Sequence, residues 1–369
     1  MRINLLELEQ FRSYGKFKHN FSSTDVNVLV GKNGVGKTNI LESISILSLL
    51  KSCIGADENS MIQWENTYYR IRAEAISDSG EKCVLEVVSQ NQPKVQKVCF
   101  LNDVKVSIDK IIGVIPSVVF LPQDLQLFTG SPANRRKFFD RLLSQVSPEY
   151  LKSLLRYGKI LKQRNTLLRQ IAEGKAKEED LDVWDEHLST GAAMLTAVRL
   201  ELIGTLQLTL PEELRSLGEV EWKNIQLKYE RKGNKTEVAA LQMEYRELLK
   251  QYRKRDIILQ ATSVGPHRED WNISVDDRLI DTFASRGQQR TALLALLLLQ
   301  VSYLELRCGE KPIILLDDVF SELDSHHQER LLNSLQGYQV LITTTYVPEG
   351  CDGFDVIEMK EMKDMKTIK

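Results

Sequence analysis

The sequence predicts an α/β fold: a mixed sheet with helices around a phosphate-binding loop, interrupted by a mostly helical lobe. Three observations carry this. The octapeptide Gly31-Lys32-Asn33-Gly34-Val35-Gly36-Lys37-Thr38 stands between an apolar, β-branched run (26–30) and a helical run. A second apolar run, Ile313-Ile314-Leu315-Leu316, ends in the acids Asp317 and Asp318. From about residue 131 to 261, strand-like patterning gives way to long helical repeats.

The chain has 369 residues, 42% hydrophobic and 27% charged, with a formal net charge of -2. That suits a globular protein of about two domains. A nucleic-acid surface would have to be a local patch, since the total charge does not provide one. The five cysteines, Cys53, Cys83, Cys99, Cys308 and Cys351, are widely spaced and form no Cys-x-x-Cys or zinc pattern. Free thiols in a reducing compartment are expected. The N-terminus has no apolar signal core, and the longest apolar run, 292–299, is too short to span a bilayer. A cytoplasmic protein without membrane insertion is expected.

Residues 1–30 read as strands, separated by Phe11-Arg12-Ser13-Tyr14. Arg12 is either a surface charge or a neighbour of the bound nucleotide. The octapeptide follows. Glycines at 31, 34 and 36 let the backbone wrap around phosphates with its N–H groups inward. The helix that starts there adds its positive dipole end. Lys37 reaches the outer phosphates and the Thr38 hydroxyl suits Mg²⁺. The competing reading is a glycine-rich turn that binds nothing. A dinucleotide fingerprint fits less well, because its third glycine would fall on Asn39. Ile40, Leu41, Ile44 and Leu47 lie on one helical face.

Residues 68–76, 82–88, 97–100 and 118–121 read as strands. After Gly130-Ser131-Pro132 the pattern is helical to about residue 210, with a charged break at 173–180 and Pro211 as punctuation. A strand at 222–229 and a helix at 238–259 follow, and Ser263-Val264-Gly265-Pro266 marks the return to the first lobe. The first lobe is therefore 1–130 plus 262–369, and the inserted lobe 131–261.

Asp317 sits where a carboxylate would hold Mg²⁺, and Asp318 where one would polarise an attacking water. Without a phosphate loop the same run would be a buried strand with a solvated acidic turn. Ser285 and Gln288, three apart, suit a capping box at a helix start. Alternatively, with Gly287 between them, they form a second anion-binding helix terminus. Arg135-Arg136-Lys137 and Arg253-Lys254-Arg255 are short basic clusters, ordinarily solvated faces.

Together these pieces resemble the ABC-type ATPase head shared with SMC proteins and, more closely, the RecF family. The resemblance covers nearly the whole chain. It is carried by 11–14, by the phosphate loop with 39–42, by 130–136, 265–268 and 284–291, and by 315–324. It implies an ATP-binding, DNA-binding protein of replication, recombination, repair and the SOS response to DNA damage, working as a slow DNA-dependent ATPase. Gly31, Lys32, Asn33, Gly34, Val35, Gly36, Lys37, Thr38, Asn39 and Arg12 would contact ATP. Thr38, Asp317 and Gln123 would hold Mg²⁺, with Lys37, Asp317 and Asp318 catalytic. Ser285, Gly287 and Gln288 would form the signature that touches ATP on a second subunit, giving a homodimer with two sandwiched nucleotides. Asp324 would face that subunit, and Thr344 or Thr345 would hold the switch position. Two departures stand out, Arg286 in place of the more usual Gln and Gln123 where the family often has Glu; Asp318 is shorter than the glutamate of typical ABC ATPases but agrees with the RecF family. Whether Gln123 or Asp124 couples the lobes is open. Only about 130 residues separate the head halves, too few for SMC arms. Expected partners are single-stranded and gapped DNA and RecR- and RecO-type mediators. The basic clusters would then line a DNA groove. Two other readings are a nucleotide-gated protein scaffold and an ATPase subunit of a nuclease or defence complex.

Overall fold

The structure, a computed structural model, describes residues 1–347 and 353–359. Cys351 lies outside the described residues, and Cys53, Cys83, Cys99 and Cys308 form no disulfide among the described residues. The chain forms two compact units, Met1–Leu125 with Arg290–Lys369, and Gln126–Gln289.

The first unit opens with β1 (Arg2–Phe11), β2 (Tyr14–Asn20), β3 (Val26–Val30), α1 (Lys37–Leu49) and α2 (Glu58–Met61). β4 (Tyr68–Ile76), β5 (Lys82–Gln90), β6 (Gln96–Leu101), β7 (Val104–Val106) and β8 (Ser117–Phe120) follow. The second unit holds α3 (Pro132–Val146), α4 (Pro148–Ala172), α5 (Leu181–Ser216), β9 (Gln226–Glu230), α6 (Val238–Leu259), β10 (Asp270–Val275), β11 (Arg278–Leu279) and α7 (Ile280–Phe283). α8 (Arg286–Cys308) leads back to the first unit. That unit ends with β12 (Ile313–Asp317), α9 (Val319–Glu322), α10 (Ser325–Ser334), β13 (Val340–Thr344) and β14 (Asp355–Glu358).

Two sheets make the first unit. One is an antiparallel sheet ordered β2-β1-β4-β5-β6-β7, whose alternating sequences bury one face. The other is parallel, β14-β3-β13-β12-β8, and its central strands β12 and β13 are buried at every position because both faces are covered. α1 lies between the sheets, touching β4 and β5 of one and β8, β12 and β13 of the other. It is therefore buried all round rather than on the single face its leucines and isoleucines suggested. Its buried Ser43 and Ser48 donate to the carbonyls of Ile40 and Ile44 at 2.7 and 3.2 Å. α8 is apolar and long enough to cross a bilayer, as is the stretch Glu178–Ser216. The Leu and Ala residues of α8 from Ala292 to Leu304 are instead packed in the interior.

In the second unit α4, α5 and α6 pack side by side, and the three-stranded sheet β11-β10-β9 packs on α5 through β9 and on α3 through β10. α4 and α5 approach closely where Gly191 faces Tyr157. A Cβ at Gly191 would lie 3.2 Å from that ring. Pro211 does not end α5, which continues to Ser216. Leu206, Leu210 and Leu214 stay buried across the proline, and that burial outweighs one lost backbone bond. The second unit also extends past residue 261, because β10 pairs with β9 and Trp271 stacks on Phe139 of α3 at 4.4 Å.

A phosphate loop facing an acidic strand end

The loop after β3 makes the turn its glycines allow. Gly34 and Gly36 have φ of 85 and 104, in the left-handed region where side chains are strained. Space is also limiting at Gly36. A Cβ there would sit 2.7 Å from the Tyr14 hydroxyl and 2.9 Å from Ser13 Oγ. The two residues after Arg12 buttress the loop from behind. The Tyr14 hydroxyl donates to the Gly36 carbonyl (3.1 Å), and the Asn39 amide donates to Ser13 Oγ (2.9 Å). α1 starts at Lys37 with no side-chain cap and no acid in its first turn, so no side chain of the helix itself offsets its positive end.

Lys37 is nearly buried, and its ammonium donates to the carbonyls of Gly31 (2.6 Å) and Lys32 (2.9 Å). Burial lowers its pKa, while Asp318 and Asp317 pull it back up. Thr38 donates to both oxygens of Asp317, at 2.9 and 3.2 Å. These residues are 279 apart in sequence, and the parallel sheet places them together. Asp317 also accepts from the Thr343 hydroxyl at 2.6 Å, and that same oxygen accepts from the Asp318 N–H at 3.0 Å. Thr343 is the residue the sequence reading missed. The switch position that the resemblance implies at Thr344 or Thr345 is a separate expectation. The β12–β13 register sets Asp317 opposite Thr343, while Thr344 is buried and Thr345 exposed. The alternation of a strand could have separated 343 from 344, but only the register says which one faces the acids.

Asp318 caps the short α9 in a left-handed conformation, φ 48, which Asp tolerates better than most residues. Its Oδ1 is buried without a partner. A buried carboxylate oxygen left unpaired is costly, and it points to a ligand or water in use.

Arg12 does not point at the loop. Nε and Nη2 each donate to one oxygen of the buried Glu42 at 2.8 Å, and Nη1 donates to the Ser60 carbonyl at 2.9 Å. The arginine thus pins α1 one turn beyond Thr38. Gln123 is exposed in the turn after β8, the neighbour of β12, and Asp124 folds back to accept from the Leu121 N–H at 2.9 Å.

At the start of α8, Ser285 and Gln288 form a reciprocal cap. The Ser285 N–H donates to Gln288 Oε1 (3.0 Å) and the Gln288 N–H to Ser285 Oγ (3.2 Å). Gly287 is exposed, and a Cβ there would meet only Ser285 Oγ at an ordinary 3.8 Å. The fold itself does not require glycine at 287. Asp324 caps α10 and holds His327.

Half of the basic-cluster residues are held inside the fold. Arg135 forms a two-bond pair with Asp270 (2.8 and 2.6 Å) and donates to three carbonyls, those of Leu127, Phe128 and Gly130. Arg136 donates to the Glu269 carbonyl (2.8 Å), and Arg253 to Asp182 and Asp185, both at 2.6 Å. Lys137, Lys254 and Arg255 remain exposed.

The donor set fits a magnesium nucleotide. Thr38 and Asp317 offer hard oxygen ligands, the orphaned Asp318 oxygen lies on the adjoining residue, and the uncapped helix end and Lys37 supply positive charge.

Residues 2–349 match the family described as RecF/RecN/SMC N terminal domain. The chain is 38% identical to "DNA replication and repair protein RecF" of Heliobacterium modesticaldum, over 94% of this chain and 93% of that one. It is also 38% identical to the protein of that name from Halalkalibacterium halodurans, over 96% and 94%. A solved chain described as the recombination mediator protein RecF-ATPrS in the RecFOR pathway superposes with a TM-score of 0.89 at 30% identity, covering 98% of this chain and 96% of that one. With an ATPase-type phosphate loop, an acidic strand end beside it and relatives matched over nearly their whole length, this chain belongs to the RecF family of DNA replication and repair proteins.

Proposed function

We propose that this chain is a nucleotide-driven DNA clamp. ATP bound at the phosphate loop of one copy is covered by Ser285, Gly287 and Gln288 of a second copy, and the closed dimer holds DNA at single-strand/double-strand junctions of gaps. In the cytoplasm, with RecR- and RecO-type partners, it would help load recombinase on single-stranded DNA. The similar chain solved with ATPrS and assigned to the RecFOR pathway supports the nucleotide and the partners.

The observation that carries the reading is the meeting of Thr38, Asp317 and Asp318 at the loop, with one Asp318 oxygen buried and unpaired. Lys37 would leave the loop carbonyls for the outer phosphates, and the backbone N–H groups of 34–39 would cradle the others. Mg²⁺, held by Thr38 and Asp317 with Gln123 reaching in from the turn after β8, would neutralise phosphate charge. Asp318 orients a water toward the terminal phosphorus. The new P–O bond forms as the bridging P–O bond breaks, and the water proton passes by way of Asp318 to solvent or product. A carboxylate on a short side chain, fixed by a strained backbone, suits slow turnover and use as a switch. Arg12 supports this indirectly, by fixing α1 through Glu42. Gly287, which the fold does not require, lets a partner's phosphate approach the helix end.

Analytical ultracentrifugation tests the reading. With Mg-ATP the protein should sediment as a dimer, and Lys37→Ala should remain monomeric at the same concentration. Equal dimerisation of the Lys37→Ala protein would sink nucleotide-driven closure.

A further inference from the structure

The family reading places the basic clusters of the sequence on DNA, but the structure spends most of their arginines internally. A different row of cations lies on α4. Lys152, Arg156, Lys159 and Lys162 are all exposed, at spacings of four, three and three residues, opposite the buried face of Tyr157, Ile160, Arg164 and Leu168. The only acid in α4 is Glu149, in its first turn. Among the described residues Arg156, Lys159 and Lys162 make no ion pair. Gly158 is exposed within the row, and a Cβ there would meet nothing, so the backbone is open to close approach. α6 is different. Its Arg246 pairs with Glu186 at 3.1 Å and its Arg253 with Asp182, and the helix itself carries Glu244, Glu247 and Asp256, while Lys250, Lys254 and Arg255 are exposed.

We propose that the exposed face of α4 is a docking surface for the sugar-phosphate backbone of duplex DNA. This rests on the DNA-binding reading above and deepens it. From Lys152 to Lys162 the row spans about 15 Å of helix. A duplex offers a phosphate every ~1.7 Å of axis, so each cation finds one without a fixed register. Duplex is favoured over single strands because the face carries no exposed aromatic ring on which bases could stack; Tyr150 and Tyr157 are both buried. Binding here positions the backbone and reads no sequence.

The test uses the full chain with Mg-ATP and a labelled random-sequence duplex of about 30 base pairs, titrated between about 50 and 200 mM salt. Arg156→Ala/Lys159→Ala/Lys162→Ala should weaken binding at least ~10-fold at the low-salt end and flatten the log–log salt slope by about 2 to 3, at ~0.9 per phosphate lost. Its circular dichroism and ATP binding should match the parent. Lys250→Ala/Lys254→Ala/Arg255→Ala on α6 removes the same charge and should change the slope by less than half as much. If the α4 variant keeps the parental slope, or the α6 variant loses as much, the docking surface is wrong while the DNA-binding reading stands. Loss of oligo-dT binding with duplex binding intact would also overturn it. If the parent binds no duplex with Mg-ATP, both fail together.

Discussion

The Thr343 hydroxyl bridges the two acids, donating to Asp317 at 2.6 Å and accepting from the Asp318 N–H at 3.0 Å. Asp317 in turn receives Thr38, so one threonine on β13 orients the carboxylate that faces the phosphate loop. Partners that orient a ligating carboxylate affect metal affinity even though they never touch the metal. Thr343→Val keeps the shape and removes the hydroxyl. It should weaken Mg²⁺ dependence of nucleotide binding about 10- to 100-fold while leaving metal-free nucleotide binding near parental. Calorimetry with ATP, with and without Mg²⁺, reads both. Equal loss in both would assign Thr343 a purely structural role. Asp318 complements it. The backbone is held by two bonds to Thr343 and bent to a positive φ, which leaves one carboxylate oxygen for an incoming water.

At the scale of elements, α4 is organised by what it buries. Arg164 is fully buried between Asp185 of α5 and Asp256 of α6, at 2.7 and 2.8 Å, so one guanidinium ties three helices. Such a cluster specifies which helices pair more than it adds net stability. Two turns before it, Tyr157 meets His267 Nδ1 at 2.7 Å, while His267 Nε2 donates to the Thr262 carbonyl at 3.1 Å. This sets a neutral ring. Burial, with repulsion from Arg268 and Arg136, pushes its pKa down to about 4 from 6.5. The unfolded chain takes up the proton first as pH falls. The stability tied to the neutral ring is therefore complete above about pH 6.5 and lost progressively between 6.5 and 4. Across that window of about 2.5 units the loss should be about 3 kcal/mol, at ~1.4 kcal/mol per unit. His267→Gln should flatten that part of the profile, read as urea midpoints at pH 7.5 and 4.5. Parallel profiles for the two proteins would refute the assignment.

For the whole molecule, one chain carries one phosphate loop and one capped, glycine-exposing start of α8. Two copies therefore have two complementary pairs of surfaces. Lys37→Ala disables the first surface, and Ser285→Arg blocks the second with bulk and charge. Each variant alone should fail to dimerise with Mg-ATP. Mixed in equal amounts, they should form a dimer through the single remaining intact pair, weaker than the parent by roughly 10-fold or more for the half interface lost. Sedimentation of the mixture with one partner labelled is the measurement. No hetero-association in the mixture would separate the two surfaces from a shared nucleotide.

The chain's order of motifs determined the α/β class, the loop at 31–38, the acids at 317 and 318 and the cap at 285 and 288, because each is a local pattern with a local cause. Glycines permit positive φ, a hydroxyl and an amide three apart cap a helix, and a strand buried on both faces must be apolar throughout. Tertiary structure decided the rest. Whether Thr343 or its neighbours meets Asp317 depends on the register between β12 and β13, and whether Pro211 ends α5 depends on the leucines packed around it. Whether Arg135 and Arg253 face solvent or Asp270 and Asp182 depends on partners 135 and 71 residues away. A charge in sequence has no neighbours until the chain folds, so the arginines that looked free are largely engaged, and the exposed row emerged on α4.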